Sequence, residues 1–464
     1  MDIVREMDSG KTRQFRAISK VLLLQLLYTN PLLSHQASAD NHIGWNELPK
    51  TQLASVCPNN NFNGFRYNFK DYCKNVTLAW GGAAFDAEQS TMYIWGGGHH
   101  DYYGNELYTM NFANRSMTRI TDPAKPANPS AQPAPSELHP FNGTQPNSRH
   151  TYDGMAFIQH AKHIWAFSGS LASRSGNSDN TTWLFNAKTK QWTLDASKGD
   201  IPKGNYGVIA GYDPVTGNIF MHNRHAFYQY EFDSTGGRYT RLYDKKTLGL
   251  GLNAAIDPDR RYMMVIGRGN QILFSLDKNK RYQHYDVPLQ GDSAIAKANA
   301  PGLAYNTKNK QFYGWMGDGK LYQFDYKTEV WRSVAYKGGP GQQVRAGTFG
   351  RFDYSHELDA FVLYNAYDQN AWLLKTTDFT DTEAPDVPTI SDSSTPYPGA
   401  VKIQWEPAQD NLGVSGYRVY RNGEQVADQE ETIFKDLMEK PAGVDTYQIT
   451  ALDSAGNESE KSKP

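Results

Sequence analysis

The chain has 464 residues, with 47 Lys and Arg against 49 Asp and Glu and a formal net charge of −2. That near balance excludes a dedicated nucleic-acid binder, whose surface carries a basic excess. The length exceeds one ordinary domain, and 13% aromatic residues with 40 glycines favour an all-β, turn-rich protein with enough apolar side chain for a core.

At the N-terminus, Lys11, Arg13, Arg16 and Lys20 precede the apolar run 21–27, and Ala37-Ser38-Ala39 offers small residues for cleavage. This is the pattern of a signal peptide over 1–39. Asn30 and Pro31 break the apolar stretch soon after, leaving it short for a membrane span, with an uncleaved anchor as the alternative. The expected product is secreted or periplasmic, free of the membrane after cleavage, and monomeric. Its two cysteines, Cys57 and Cys73, are then predicted to form a disulfide that ties down an irregular segment. A zinc pair is disfavoured because no CxxC spacing exists and the histidines lie elsewhere.

The run from Met92 to Trp95 halts at Gly96, Gly97 and Gly98, then gives way to His99, His100, Asp101 and Tyr102 before apolar residues resume at 106–112. A strand, a glycine hinge and a second strand form the syntax of a propeller blade. Similar units start at Ala83, Met155, Ala210, Ala254, Leu303 and Gly350. The later ones lie about 45 to 50 residues apart, the period of four-stranded kelch-like blades. Region 55–78 leaves room for a seventh, so the expectation is an all-β chain whose residues 40–380 form a six- or seven-bladed β-propeller, the candidate catalytic domain. The last copy stops near Lys375 without an outer strand. Segment 44–48 is predicted to supply it and so remove an exposed sheet edge.

A proline-rich boundary at 382–388 opens a second all-β unit, 381–464, with the pattern of a small β-sandwich. Trp405, Tyr417, Tyr420, Tyr447 and the ending "ALDSAGNES" resemble a fibronectin type III domain. The resemblance implies a spacer or adhesion module without chemistry.

Polar residues cluster where strands of the repeats end: His99 to Tyr102; Arg149, His150 and Tyr152; Tyr206; and His222 to His225. Arg268, Asp318, Arg345, Tyr364 and Asn365 stand at matching places in later copies. Equivalent loops of successive blades surround one axis, so all could face one end of a central channel. The competing reading is that these arginines and aromatics pack and pair between blades.

The blocks "WGGGHHDYYGNELY", "SRHTYDG" and "NYGVIAGYDP…MHNRH" resemble the propeller-type polysaccharide lyases that cleave ulvan, over about residues 45–375. The resemblance implies β-elimination on a uronic-acid-containing, sulfated polysaccharide, with the acidic polymer as partner. Such chemistry neutralises the substrate carboxylate, removes the C5 proton and protonates the departing O4. Arginine suits the first task through its bidentate fork, and histidine and tyrosine suit the proton transfers. The resemblance places these roles on Arg224, His150 and Tyr206, with His99 and His222 as alternates. His100, Tyr102, Arg149, Arg268, Tyr364 and Asn365 are the expected substrate contacts, Arg149 for a sulfate or second uronate. It implies no cofactor for the chemistry but allows a structural zinc or calcium ion, whose ligands no spacing identifies. Two other classes stay open. A non-catalytic carbohydrate- or protein-binding kelch-like propeller would use the same rim, whereas a copper-radical oxidase would need a cysteine inside the repeats, and both cysteines precede them.

Overall fold

A computed structural model of the chain describes residues 43–124, 144–172, 177–233, 235–277, 283–376, 384–397, 400–410, 414–437, 445–453 and 457–464. The expected signal peptide lies outside the described residues, as does part of the proline-rich boundary. Among the described residues the protein is all-β, built from many small antiparallel sheets, and its helices are single turns.

Six of these sheets contain four or five strands each. In the first, Gly82–Asp86, Thr91–Trp95, Tyr108–Asn111 and Ser116–Arg119 follow as a meander. The sheets that begin at Met155–Ile158, Ile209–Asp213, Asn253–Asp257 and Gly302–Asn306 repeat this order. Each first strand lies beside the first strand of the next sheet. After the last one, Phe352–Ser355, the order returns to the start: Gly82–Asp86 lies against the turn Phe349–Arg351.

The sixth sheet is completed from the far end of the chain. Gly44–Leu48 pairs antiparallel with Ala371–Lys375, Gly44 opposite Lys375 and Leu48 opposite Ala371. The expected closing strand is therefore present, and it covers an edge that would otherwise expose a row of unpaired backbone groups. Region 55–78 holds no seventh sheet. It forms short helical turns, including Phe69–Tyr72 and Asn75–Leu78, pinned by the predicted Cys57–Cys73 disulfide. Its sequence, broken by Pro58 and by four asparagines over 59–63, lacks the alternation a strand requires.

Large apolar side chains fill the spaces between sheets. Trp95, Trp165, Trp315 and Trp331 are each almost wholly buried, and each such burial contributes on the order of 2 to 3 kcal/mol. Polar ties add registry at the outer turns. Arg261 pairs bidentately with the buried Asp213 of the preceding sheet at 2.6 and 2.7 Å, and Ser90 meets Ser355 at 2.7 Å where the first and last sheets join. At the same junction Arg351 is buried without a carboxylate partner among the described residues. It donates instead to the carbonyls of Thr77, Gly81, Gly347, Tyr364 and Asn365, and burial pulls its guanidinium down to about 9.

The C-terminal residues form two three-stranded sheets. Thr389–Tyr397, Ala400–Glu406 and Ile433–Leu437 make one, and Val414–Arg421, Glu424–Gln429 and Tyr447–Asp453 the other. Trp405, Tyr417, Val419 and Ile449 form the core between them.

Candidate functional site

In a meander, the entry to the first strand and the turn between the second and third strands lie at the same end. That end carries the polar cluster. Gly98 makes the crowding possible: a Cβ there would lie 2.3 Å from the Arg149 Cα, so only glycine lets the His99 turn sit on the Arg149–His150 strand. Leu171 accepts a hydrogen bond from the His99 backbone N–H at 3.0 Å, locking the turn against the second sheet's neighbourhood.

His150 is the centre of the cluster. Its Nε2 lies 2.8 Å from Asp101 Oδ2, and its ring packs 4.9 Å from Trp80, 5.8 Å from His99 and 6.0 Å from Tyr152 between centroids. Asp101 is itself positioned, its carbonyl accepting from Asn75 Nδ2 at 2.7 Å. His99 stands in front and is partly exposed, in edge contact with the exposed His100 at 4.5 Å. Burial, with His100 and His150 nearby, holds the His99 imidazole below its usual value, which favours its neutral form.

Tyr206 and Arg224 come from the third sheet. Tyr206 is 42% exposed, and the Arg224 guanidinium sits 5.9 Å from its ring centroid. Arg224 is fixed by an Nε hydrogen bond to the Leu248 carbonyl at 3.2 Å and reaches the Asn205 side chain at 3.5 Å. Tyr152 links the two halves. Burial pushes its phenol up to about 12, with Tyr206, Arg224 and Asp101 all close enough to act on it.

This end therefore carries His99, His100, Tyr206 and Arg224 partly or fully exposed, with His150 buried beside His99 at 4% exposure. Arg268 is also exposed at this end, its Nε donating to Asn299 Oδ1 at 2.8 Å. The other expected contacts face inward. Tyr102 is fully buried and donates to the equally buried Glu106. Arg149 is 1% exposed; it bonds Ser168 O at 2.9 Å and Asp179 at 3.2 Å and lies over Trp95, so it presents no fork to a sulfate. Tyr364 accepts from the Leu53 backbone N–H at 2.6 Å, and Asn365 donates to Gln342 O at 2.9 Å, both buried. His222 lies wholly buried beside Phe227 and Phe274, and burial drives its pKa down to about 3. Tyr102, Arg149, Tyr364 and Asn365 thus spend hydrogen bonds on the fold, whereas the His222 ring nitrogens meet no hydrogen-bond partner among the described residues.

Sequence reasoning passed over Trp80 and Asn205, and the signal for both was position. Each stands within four residues of a first strand, as His150 does within five. Among the described residues no group of three or more His, Cys, Asp or Glu is disposed to hold a metal ion. No helix among them is long and apolar enough to cross a membrane.

No family model matches the chain. Over 77 residues, 17% of the chain, it is 34% identical to an alpha-amylase of Niallia circulans and 35% identical to chitinase Chi52 of Paenibacillus xylanexedens. These stretches span only 6% and 15% of those proteins. Among solved structures, an auxiliary nutrient binding protein from Bacteroides thetaiotaomicron aligns with a TM-score of 0.42 at 12% identity, covering 64% of this chain and 68% of that one. A beta-1,2-glucanase from Parabacteroides distasonis aligns with a TM-score of 0.16 at 23% identity, covering 21% and 16%. These two structural overlaps carry no argument about fold or activity.

Proposed function

We propose that the six meanders are the blades of a β-propeller, residues 40–380, closed by the N-terminal strand, and that its histidine-bearing rim cleaves a uronic-acid-containing, ulvan-like polysaccharide by β-elimination. The C-terminal pair of sheets, 381–464, is read as a fibronectin type III-like module, and the protein as exported. Short likeness to an alpha-amylase and a chitinase suits a carbohydrate-directed protein built with a shared module.

The observation that carries the reading is the meeting of Tyr206, Arg224 and Tyr152 with the His150–Asp101 pair at one rim. In the proposed reaction Arg224 binds and neutralises the uronate carboxylate, which acidifies the C5 proton. Tyr206 and the His99–His150 pair handle the protons: one goes from C5 to a rim base, its electron pair forms the C4–C5 double bond, and the C4–O4 bond breaks. The departing O4 takes a proton from a rim acid. Asp101, 2.8 Å from Nε2, orients the His150 ring. One observation favours a non-catalytic carbohydrate-binding rim instead, namely that His150 is only 4% exposed. Incubation with a panel of uronate polysaccharides separates the two. A lyase yields unsaturated ends absorbing in the near ultraviolet, whereas a binding module leaves the polymer intact.

A further inference from the structure

A left-handed backbone residue precedes every first strand of the six sheets: Trp80 (φ 50°), Tyr152 (51°), Gly207 (75°), Gly251 (73°), Ala300 (41°) and Phe349 (49°). Glycine adopts this conformation freely, and any other residue is strained in it. For Tyr152, Ala300 and Phe349 the compensation is visible. They pack together and are 7%, 0% and 1% exposed, so burial offsets the strain. Trp80 lacks that compensation, remaining 38% exposed outside that cluster.

Its position is nonetheless rigid. The Trp80 carbonyl accepts from the Tyr152 backbone N–H at 2.8 Å. The next two residues are glycines in close approach, with Val76 O and Tyr152 O 1.9 and 2.0 Å from where their Cβ atoms would stand. The chain thus holds a large aromatic ring in a strained conformation, against His150 at 4.9 Å and partly open to solvent, where glycine would fit the backbone better. Glycine, as at positions 207 and 251, would meet the same backbone requirement without strain.

We propose that Trp80 is a stacking platform, a binding subsite beside His150 for the apolar C–H face of a pyranose ring. An indole offers a rigid, broad apolar face at little conformational cost, and tryptophan is a typical anchor of a binding energy hot spot. Tyr206, 42% exposed beside Arg224, is the second exposed aromatic of the rim. The pyranose subsite at Trp80 then sits next to the subsite where Arg224 takes the carboxylate. This assignment rests on the reading of the rim as a polysaccharide site.

The test is affinity electrophoresis of the full chain through gels containing ulvan, hyaluronan, alginate, xylan or laminarin, with product absorbance followed in parallel. In whichever gel retards the parent, Trp80→Ala and Trp80→Gly should bind about tenfold more weakly, and Trp80→Phe should stay within about threefold. Trp80→Gly should unfold at or above the temperature of Trp80→Ala, since only glycine relaxes the backbone, so its lost binding would not be a folding defect. Parent-like binding by Trp80→Gly overturns the platform and leaves the lyase reading intact. Binding by the parent with no unsaturated product overturns the lyase and leaves the platform to be judged by the variants. A parent retarded by none of the five polymers overturns both.

Discussion

His150 Nε2 lies 2.8 Å from Asp101 Oδ2, a contact between residues 49 positions apart that joins the turn of one sheet to the approach of the next. A carboxylate so placed selects the ring orientation. It also gives the rim an axis around which Trp80, His99 and Tyr152 pack.

Asp101→Asn keeps the shape of this contact and removes its charge. On a polymer that the parent cleaves, turnover is expected to fall about 10²-fold with little change in KM, because the carboxylate acts through His150. Steady-state rates across pH check this. Equal loss in KM alone would assign Asp101 to binding.

Tyr206→Phe retains the ring over which Arg224 sits and removes only the hydroxyl. Binding should persist while turnover drops by about 10² or more. Arg224→Lys keeps charge without the fork and should weaken both. Near-parent rates in Tyr206→Phe and His150→Ala would shift attention to His99.

The Cys57–Cys73 bond closes a loop with a sequence separation of 16. The chain-entropy model gives about 3 kcal/mol for such a loop. Denaturant unfolding with and without reductant should show a loss of that order. Because Asn75 of the same segment holds Asp101, reduction should also lower turnover before the sheets unfold.

His222 makes stability sensitive to acid. Its folded pKa, about 3, lies below the ordinary histidine value because burial disfavours the charged ring. Between those two values the unfolded chain binds the extra proton, so stability is lost as pH falls from about 6.5 towards 3. His222→Phe, stacking on Phe227 and Phe274, should flatten that part of the profile in thermal melts taken from pH 7 to 4.

Legibility followed locality. The repeated strands, the closing pair of Gly44–Leu48 with Ala371–Lys375 and the Cys57–Cys73 bond all leave marks within short windows: alternation, a missing partner, a lone cysteine pair. The gathering of His99, His150, Tyr206 and Arg224 was legible for a related reason, since equivalent turns of repeated units recur at one end. Exposure was not legible. Tyr102 and Tyr103 are neighbours in one polar block, yet the first is fully buried against Glu106 and the second is only partly covered. Arg149 and Arg224 likewise read alike as polar turn residues, yet Arg149 is 1% exposed and Arg224 is only partly covered.

The amino-acid sequence by itself determined the strand repeats, the disulfide and which turns share an end, because each depends on residue type at short range. Only the tertiary structure decided which of the turn residues point outward. Arg149, His222, Tyr364 and Asn365 found partners or aromatic walls supplied by distant segments, and Trp80 alone of the strained non-glycine residues ahead of the first strands kept its ring in solvent. Facing is set by long-range packing, in which a buried polar group persists only where remote atoms satisfy it or burial neutralises it.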